Sequence, residues 1–332
     1  MATYNAEQYL KVALQSVLSQ SLRDLEVVVV DDGSSDATRS ILDASAEEDS
    51  RLRWVANDQN SGLAFSLNRA LRMAEGERVA RMDHDDICHP RRLEIQDRFL
   101  SERPELLLCG SMVRVFGEGM PYTLTFPTGA ACVRASLLFN NPLAHPSVMF
   151  ARNPVKELDV GYDESVGPGQ DYALWSQLLV SQDADNVPAP LLRYRVHRGS
   201  VSRARSEVSF DRRMRLQREH LERLGFAPSE DDLSRHERIG NGVGAEDLAE
   251  LTGYAEWLRA LLAANQKSAS YPESALRSAI SFYWYRCCLN SVRRVPEAQR
   301  MLGSFYDSTL THPIAAERFR FVVNRLRGLL RI

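Results

Sequence analysis

The sequence predicts an α/β fold, a doubly wound mixed sheet followed by an α-helical C-terminal region. Over the first 110 residues, segments of helical and strand periodicity alternate in the rhythm of βαβ units. Glu26 and the valines 27–30 read as a strand buried on both faces, as parallel sheets require. Beyond about residue 205 nearly every segment is helical in pattern.

Leu10, Ala13, Leu14, Val17 and Leu18 follow helical spacing, with Asn5 as a candidate N-cap. The valine strand ends in the turn Asp31-Asp32-Gly33-Ser34-Ser35-Asp36. A helix over 37–46 and a strand over 53–56 follow. Leu63, Leu67, Ala70, Leu71 and Ala74 mark the next helix, after Ser61 and with Gly76 as its expected C′ residue. A short apolar strand (Val79, Ala80, Met82), a helix over 91–102 and a strand over 106–109 complete this series. After Gly110, segments 112–116 and 122–126 flank Gly117-Glu-Gly119 and read as a hairpin. Residues 140–150 run from a turn into a strand, 170–181 read as a helix, and 191–196 as a last strand. Breaks in the helical remainder fall near 225–229, 240–244 and 271–272. The expected domains are 1–203 and 204–332.

At 332 residues, 44% hydrophobic and 26% charged, the chain has the composition of an ordinary globular protein. Its net charge of −3 gives no case for nucleic acid as a partner. Cys88, Cys109, Cys132, Cys287 and Cys288 form no C-x-x-C pair, so neither a disulfide framework nor a zinc site is expected, and a reducing cytoplasm fits. No secretory signal or apolar run of 18 residues is seen, so no spanning helix is expected.

The chemistry concentrates at Asp83-His84-Asp85-Asp86, at the carboxyl end of a strand, where open α/β sheets bind ligands. Adjacent carboxylates repel, and a divalent cation relieves that repulsion. Oxygen ligands suit Mg2+ or Mn2+, ions that commonly serve phosphate substrates. The alternative is a solvated acidic turn capping the next helix.

Taken in order, Thr3-Tyr4-Asn5, Val30-Asp31-Asp32-Gly33-Ser34-Ser35-Asp36, Asn60-Ser61-Gly62 and the stretch from Ala74 to Asp86 resemble the family 2 glycosyltransferases. The resemblance covers about residues 2–200 and implies the GT-A nucleotide-sugar fold. It implies that Asp32 recognises the base or ribose and that Tyr4 contacts the base, against an Asx-turn and a partly buried residue before the helix. Asp83 and Asp85 match the Asp-x-Asp metal motif for Mn2+ or Mg2+, Asp83 also serving the donor. Asp85 is the stronger ligand, Asp86 lies outside the ligand shell, and His84 is a bystander. The family's acidic pair before a Leu-Trp helix maps to Gln170 and Asp171. Asp171 is the expected catalytic base, or a helix N-cap, and Gln170 stands where an acid is often found. Residues 144–150 resemble a segment near the acceptor site. Residues 194–202 resemble a loop closing over the diphosphate, with His197 for metal or phosphate and Arg195 or Arg198 as a charge clamp.

These matches imply an inverting, metal-dependent glycosyltransferase of cell-surface polysaccharide synthesis. Its donor is expected to be a UDP-type nucleotide-diphosphate sugar, with GDP- and dTDP-sugars open, and its acceptor a glycan or lipid-linked glycan. The other readings are a non-catalytic sugar-nucleotide-binding protein and a nucleotidyltransferase. The family's first strand is missing ahead of Tyr4, which reads as a start assigned too late, with Met1 the end of that strand. Residues 315–332 form a basic amphipathic pattern that either packs on the catalytic domain or lies on the inner face of the plasma membrane. The 205–312 helices equally suit self-association.

Overall fold

The structure, a computed structural model, describes residues 1–153, 158, 161–165, 169–197 and 207–305. The domain boundary expected near 203, Arg198 and the 315–332 pattern lie outside the described residues. By packing the chain divides into Met1–Glu237 and Arg238–Ile332.

In the first unit, β1 (Ala2–Thr3), β2 (Val27–Asp31) and β3 (Leu52–Ala56) form a parallel sheet in that order. All five β2 residues are buried, as the valine run predicts. The helices α1 (Leu10–Leu18), α2 (Thr38–Glu48) and α3 (Leu63–Met73) connect and follow these strands. Leu10 and Leu14 of α1 meet Leu42 of α2 over Val27, Val29 and Leu52.

A second, mixed sheet has the order β4-β8-β6-β9-β5, with β7 on β6. These strands are β4 (Arg78–Ala80), β5 (Ile87–Cys88), β6 (Leu106–Gly117), β7 (Tyr122–Leu124), β8 (Met149–Ala151) and β9 (Asp183–Val196). β6 and β9 pair in parallel and the remaining pairs are antiparallel. The helices α4 (Arg92–Ser101), α5 (Ala130–Ser136) and α6 (Gln170–Leu178) complete the α/β part, and α7 (Glu207–Arg223) follows. Trp175, Leu178 and Tyr172 of α6 pack with Leu108, Val133 and Phe150.

The strand expected to be missing ahead of Tyr4 is formed by Ala2–Thr3, in register Ala2↔Val30 and Thr3↔Asp31, so Met1 is not its last residue. A cleft of ~700 Å3 is lined by residues that include Met1, Val27, Val28, Val79, Ala80 and Arg81. Three local expectations are corrected. Asn5 is no N-cap: it sits at φ +47 and accepts the Ser35 N–H, because the chain turns there before α1. Gly76 is not the C′ residue of α3, whose C-cap is Ala74; its N–H donates to Glu26 instead. The last strand begins at Asp183 rather than 191, its pairing with β6 irregular around Pro188 and Pro190.

After α8 (Glu230–Gly240), the second unit contains α9 (Leu248–Ser268) and α10 (Glu273–Ser291). Asp247 caps α9 by accepting the Glu250 N–H at 2.8 Å. Leu251, Tyr254, Leu258 and Leu261 of α9 and Leu276, Ile280, Tyr283 and Trp284 of α10 are buried. No helix among the described residues is long and apolar enough to cross a membrane.

Two buried histidines of the first unit make its stability pH-dependent. His236 stacks on Phe139 and contacts the Leu138 carbonyl at 2.7 Å, and His220 lies 3.1 Å from Ser176 Oγ. Burial lowers each from 6.5 to about 4. The unfolded chain therefore binds more protons between those values, and stability falls as pH drops from about 6.5 to about 4. Urea midpoints across that window are expected to decline, and less steeply in His236→Gln.

Candidate active site

The acidic turn hangs between β4 and β5, each held by an antiparallel neighbour. Ligand oxygens of Asp83, Asp85 and Asp86 lie within 4.8 Å of one another. The residue that makes this tolerable is Arg81, which sequence reasoning passed over. Its guanidinium is buried and grips Asp83 with both terminal nitrogens, at 2.6 Å and 2.5 Å. Asp86 is fully buried, and its Oδ1 accepts the Arg195 N–H at 2.8 Å. Its Oδ2 has no hydrogen-bond partner among the described residues. Burial, reinforced by Asp83 and Asp85, pushes the Asp86 carboxyl well above the usual carboxylate range. His84 turns away to within 3.4 Å of the Ala2 carbonyl.

The end of β9 closes this turn. His197 Nε2 lies 3.0 Å from Asp85 Oδ2, and its ring is 5.1 Å from that of Tyr9. Arg195 is sandwiched between Tyr9 and Phe116, at 4.3 and 4.5 Å, and its Nε donates to the Asp85 carbonyl at 2.8 Å. The structure thus uses Arg195 to hold the acidic turn. The donor set, carboxylate oxygens with one imidazole nitrogen, suits Mn2+ or Mg2+, and the unpartnered Asp86 oxygen marks unmet demand for positive charge.

The Asp31–Asp36 turn is a second built element. Asp32 is buried and accepts from Asn57 Nδ2 at 2.7 Å and from the Ser61 and Gly62 N–H groups at 2.9 Å. It thereby fixes the start of α3, whose dipole favours the carboxylate. Asp31 accepts from Arg39 at 2.8 Å and from Ser34. Gly33 has φ +78, and a Cβ there would stand 2.7 Å from the Gln59 carbonyl carbon, so only glycine fits. Tyr4 is exposed beside this turn, where the Asn5 N–H donates to Ser34 Oγ at 2.9 Å.

Asp171 lies in the first turn of α6, two residues after the N-cap Gly169, and does not itself cap the helix. Its carboxylate accepts from Asn141 Nδ2 at 2.7 Å and from the Tyr172 N–H. Burial raises its pKa, while the charge of Arg81 opposes the rise and that of Asp83 adds to it. Asp171 and the acidic turn therefore share one electrostatic environment. Gln170, beside it, is buried. His145 is buried against Tyr162, its Nε2 2.8 Å from the phenol oxygen, and burial drives its pKa well below the usual value. It is a neutral core group.

Arg81 carries a direct test. Arg81→Met leaves Asp83 facing Asp85 and Asp86 without its cation, and an uncompensated charge of this kind costs about 3–5 kcal/mol. Urea unfolding is expected to show a loss of that size, partly recovered by Mn2+.

Comparison with known proteins bears on this geometry. Residues 1–155 match the model of a family described as "Glycosyl transferase family 2". The putative teichuronic acid biosynthesis glycosyltransferase TuaG of Bacillus subtilis is 30% identical over 201 residues, 60% of this chain and 79% of the relative. Among solved structures, S. aureus TarS 1–349 in complex with UDP-GlcNAc matches with TM-score 0.56 and 20% identity, over 92% of this chain and 87% of that one. The Pyrobaculum calidifontis mannosyltransferase PcManGT in complex with GDP-Man and Mn2+ matches with TM-score 0.53 and 21% identity, over 91% and 85%. At these identities the structural matches speak to the fold, which is GT-A-like.

Proposed function

The chain belongs to glycosyltransferase family 2 and is a glycosyltransferase, and we propose that it transfers a sugar, with inversion, from a nucleotide-diphosphate donor to a glycan or lipid-linked acceptor in cell-surface polysaccharide synthesis. The observation that carries this reading is the convergence of the acidic turn, His197 and Asp171, drawn from three separate elements into one environment. TuaG, named for a polysaccharide pathway, supports the acceptor class. The donors bound to the two structural neighbours support a UDP-sugar first and a GDP-sugar second.

In this reading Tyr4 and the Asp32 turn receive the nucleoside. Asp85 and His197, with Asp83, would hold Mn2+ or Mg2+. When bound, the cation neutralises charge on the diphosphate. Arg81 keeps Asp83 in place, and Arg195 keeps the Asp85 backbone in place. Asp171 takes the proton of the acceptor hydroxyl while the acceptor oxygen bonds to the anomeric carbon. The bond from that carbon to the diphosphate breaks with its electron pair, releasing the nucleoside diphosphate. A single displacement inverts the anomeric centre. The raised pKa of Asp171 makes it a stronger base than an ordinary carboxylate.

A donor panel of UDP-GlcNAc, UDP-glucose and GDP-mannose, each with Mn2+, is expected to raise the thermal midpoint for one nucleotide class. Asp85→Asn is expected to abolish that Mn2+-dependent shift and to cut donor turnover by about 10²–10³-fold, the scale of losing a main electrostatic stabiliser. Full turnover in Asp85→Asn with retained fold removes Asp85 as the metal ligand. Asp171→Asn is expected to bind donor as wild type does and to lose about 10²–10⁴-fold in turnover, the range for a general base. Undiminished turnover would exclude Asp171 as the base.

A further inference from the structure

Asn141 belongs to none of the short motifs quoted for the family resemblance, yet it supplies a side-chain hydrogen bond to Asp171. Its amide is oriented from both ends. Oδ1 accepts the Leu143 N–H at 3.0 Å, so Nδ2 is the end that faces the carboxylate, at 2.7 Å. Its own N–H donates to Asn140 Oδ1 at 2.8 Å, and Pro142 restricts its backbone to extended conformations.

The loop that carries it is fixed to the core. Asn186 Nδ2 donates to the carbonyls of Pro127 and Pro142, at 2.8 and 3.0 Å. Leu143 and Val148 are buried in the cluster that includes Tyr172 and Trp175 of α6. The donor and the helix bearing its acceptor are therefore anchored in the same core.

The charged and titratable groups acting on this pair come from several elements. Arg81 favours the ionised Asp171, whereas Asp83 opposes it. Tyr162, whose phenol is pushed upward by burial, also senses the Asp171 charge. From α7, Arg212 approaches Gly169 and pairs with Asp163 at 3.4 Å. Against burial, hydrogen bonds to the charged form are what keep a carboxylate available as a base.

Resting on the reading of Asp171 as the base, we infer that Asn141 is a positioning residue whose fixed amide aims the Asp171 carboxylate at the acceptor hydroxyl and holds it ionised until the proton arrives. The neutral acid then loses part of the benefit of the amide donor, which favours its return to the ionised form after product leaves.

Carbon-13 titration of the Asp171 carboxyl in the full-length protein, assigned with Asp171→Asn, tests this without an acceptor. Asn141→Ala is expected to raise the titration midpoint. The isosteric Asn141→Asp is expected to raise it further, because two adjacent carboxyls share a proton. UDP release from UDP-GlcNAc with Mn2+ should show the acid limb moving with the titration in Asn141→Ala. Its kcat should be about tenfold lower, the scale of one hydrogen bond to a charged group, with the donor KM unchanged. A midpoint unchanged from wild type in Asn141→Ala overturns the inference; if that variant does not fold, an unchanged midpoint in Asn141→Asp does. Wild-type turnover in Asp171→Asn defeats the base reading, and the inference with it. An inactive Asp171→Asn beside an Asn141→Ala that titrates and turns over normally defeats the Asn141 inference alone.

Discussion

The site rests on one buried guanidinium. Three carboxylates within 4.8 Å repel strongly where water is scarce, and Arg81 offsets that repulsion by gripping Asp83 with both terminal nitrogens. The remaining excess of negative charge falls on Asp86, which burial drives toward its neutral form. A turn balanced this way keeps Asp85 and His197 facing each other at 3.0 Å without collapsing or flying apart.

The elements around the turn each remove a degree of freedom from it. Arg195 reaches back between two aromatic rings to hold the Asp85 carbonyl, and its N–H holds Asp86. Asp32 does the corresponding work at the other turn, where three donors tie β2 to the start of α3. In both places anchored donors hold the carboxylates or their backbone, Asp86 Oδ2 excepted, so the geometry exists before any ligand arrives. Such pre-organisation is what electrostatic catalysis needs.

The long-period features of the fold were legible because periodicity reports burial. The valines of β2, the apolar stripes of α1 and α3, and the helices after 205 all follow from which positions must leave water. The short features were not. β5 spans only Ile87–Cys88 and exists because β9 supplies a partner. α5 has too few residues to display a stripe, and β9 carries prolines at 188 and 190 that argue against a strand. That strand survives because the register with β6 slips past those residues.

By itself the sequence determined the α/β class, the two acidic turns and the order of the family's motifs, since these are written in local residue type and spacing. Tertiary structure alone decided which groups act on one another. It placed His197 on Asp85 across 112 positions of chain and Asn141 on Asp171 across 30. It also set Arg195, one of two arginines expected as a charge clamp, to brace the acidic turn. The physical reason is that a local pattern fixes burial and backbone preference, whereas a hydrogen bond between distant residues depends on where the packed core brings their backbones.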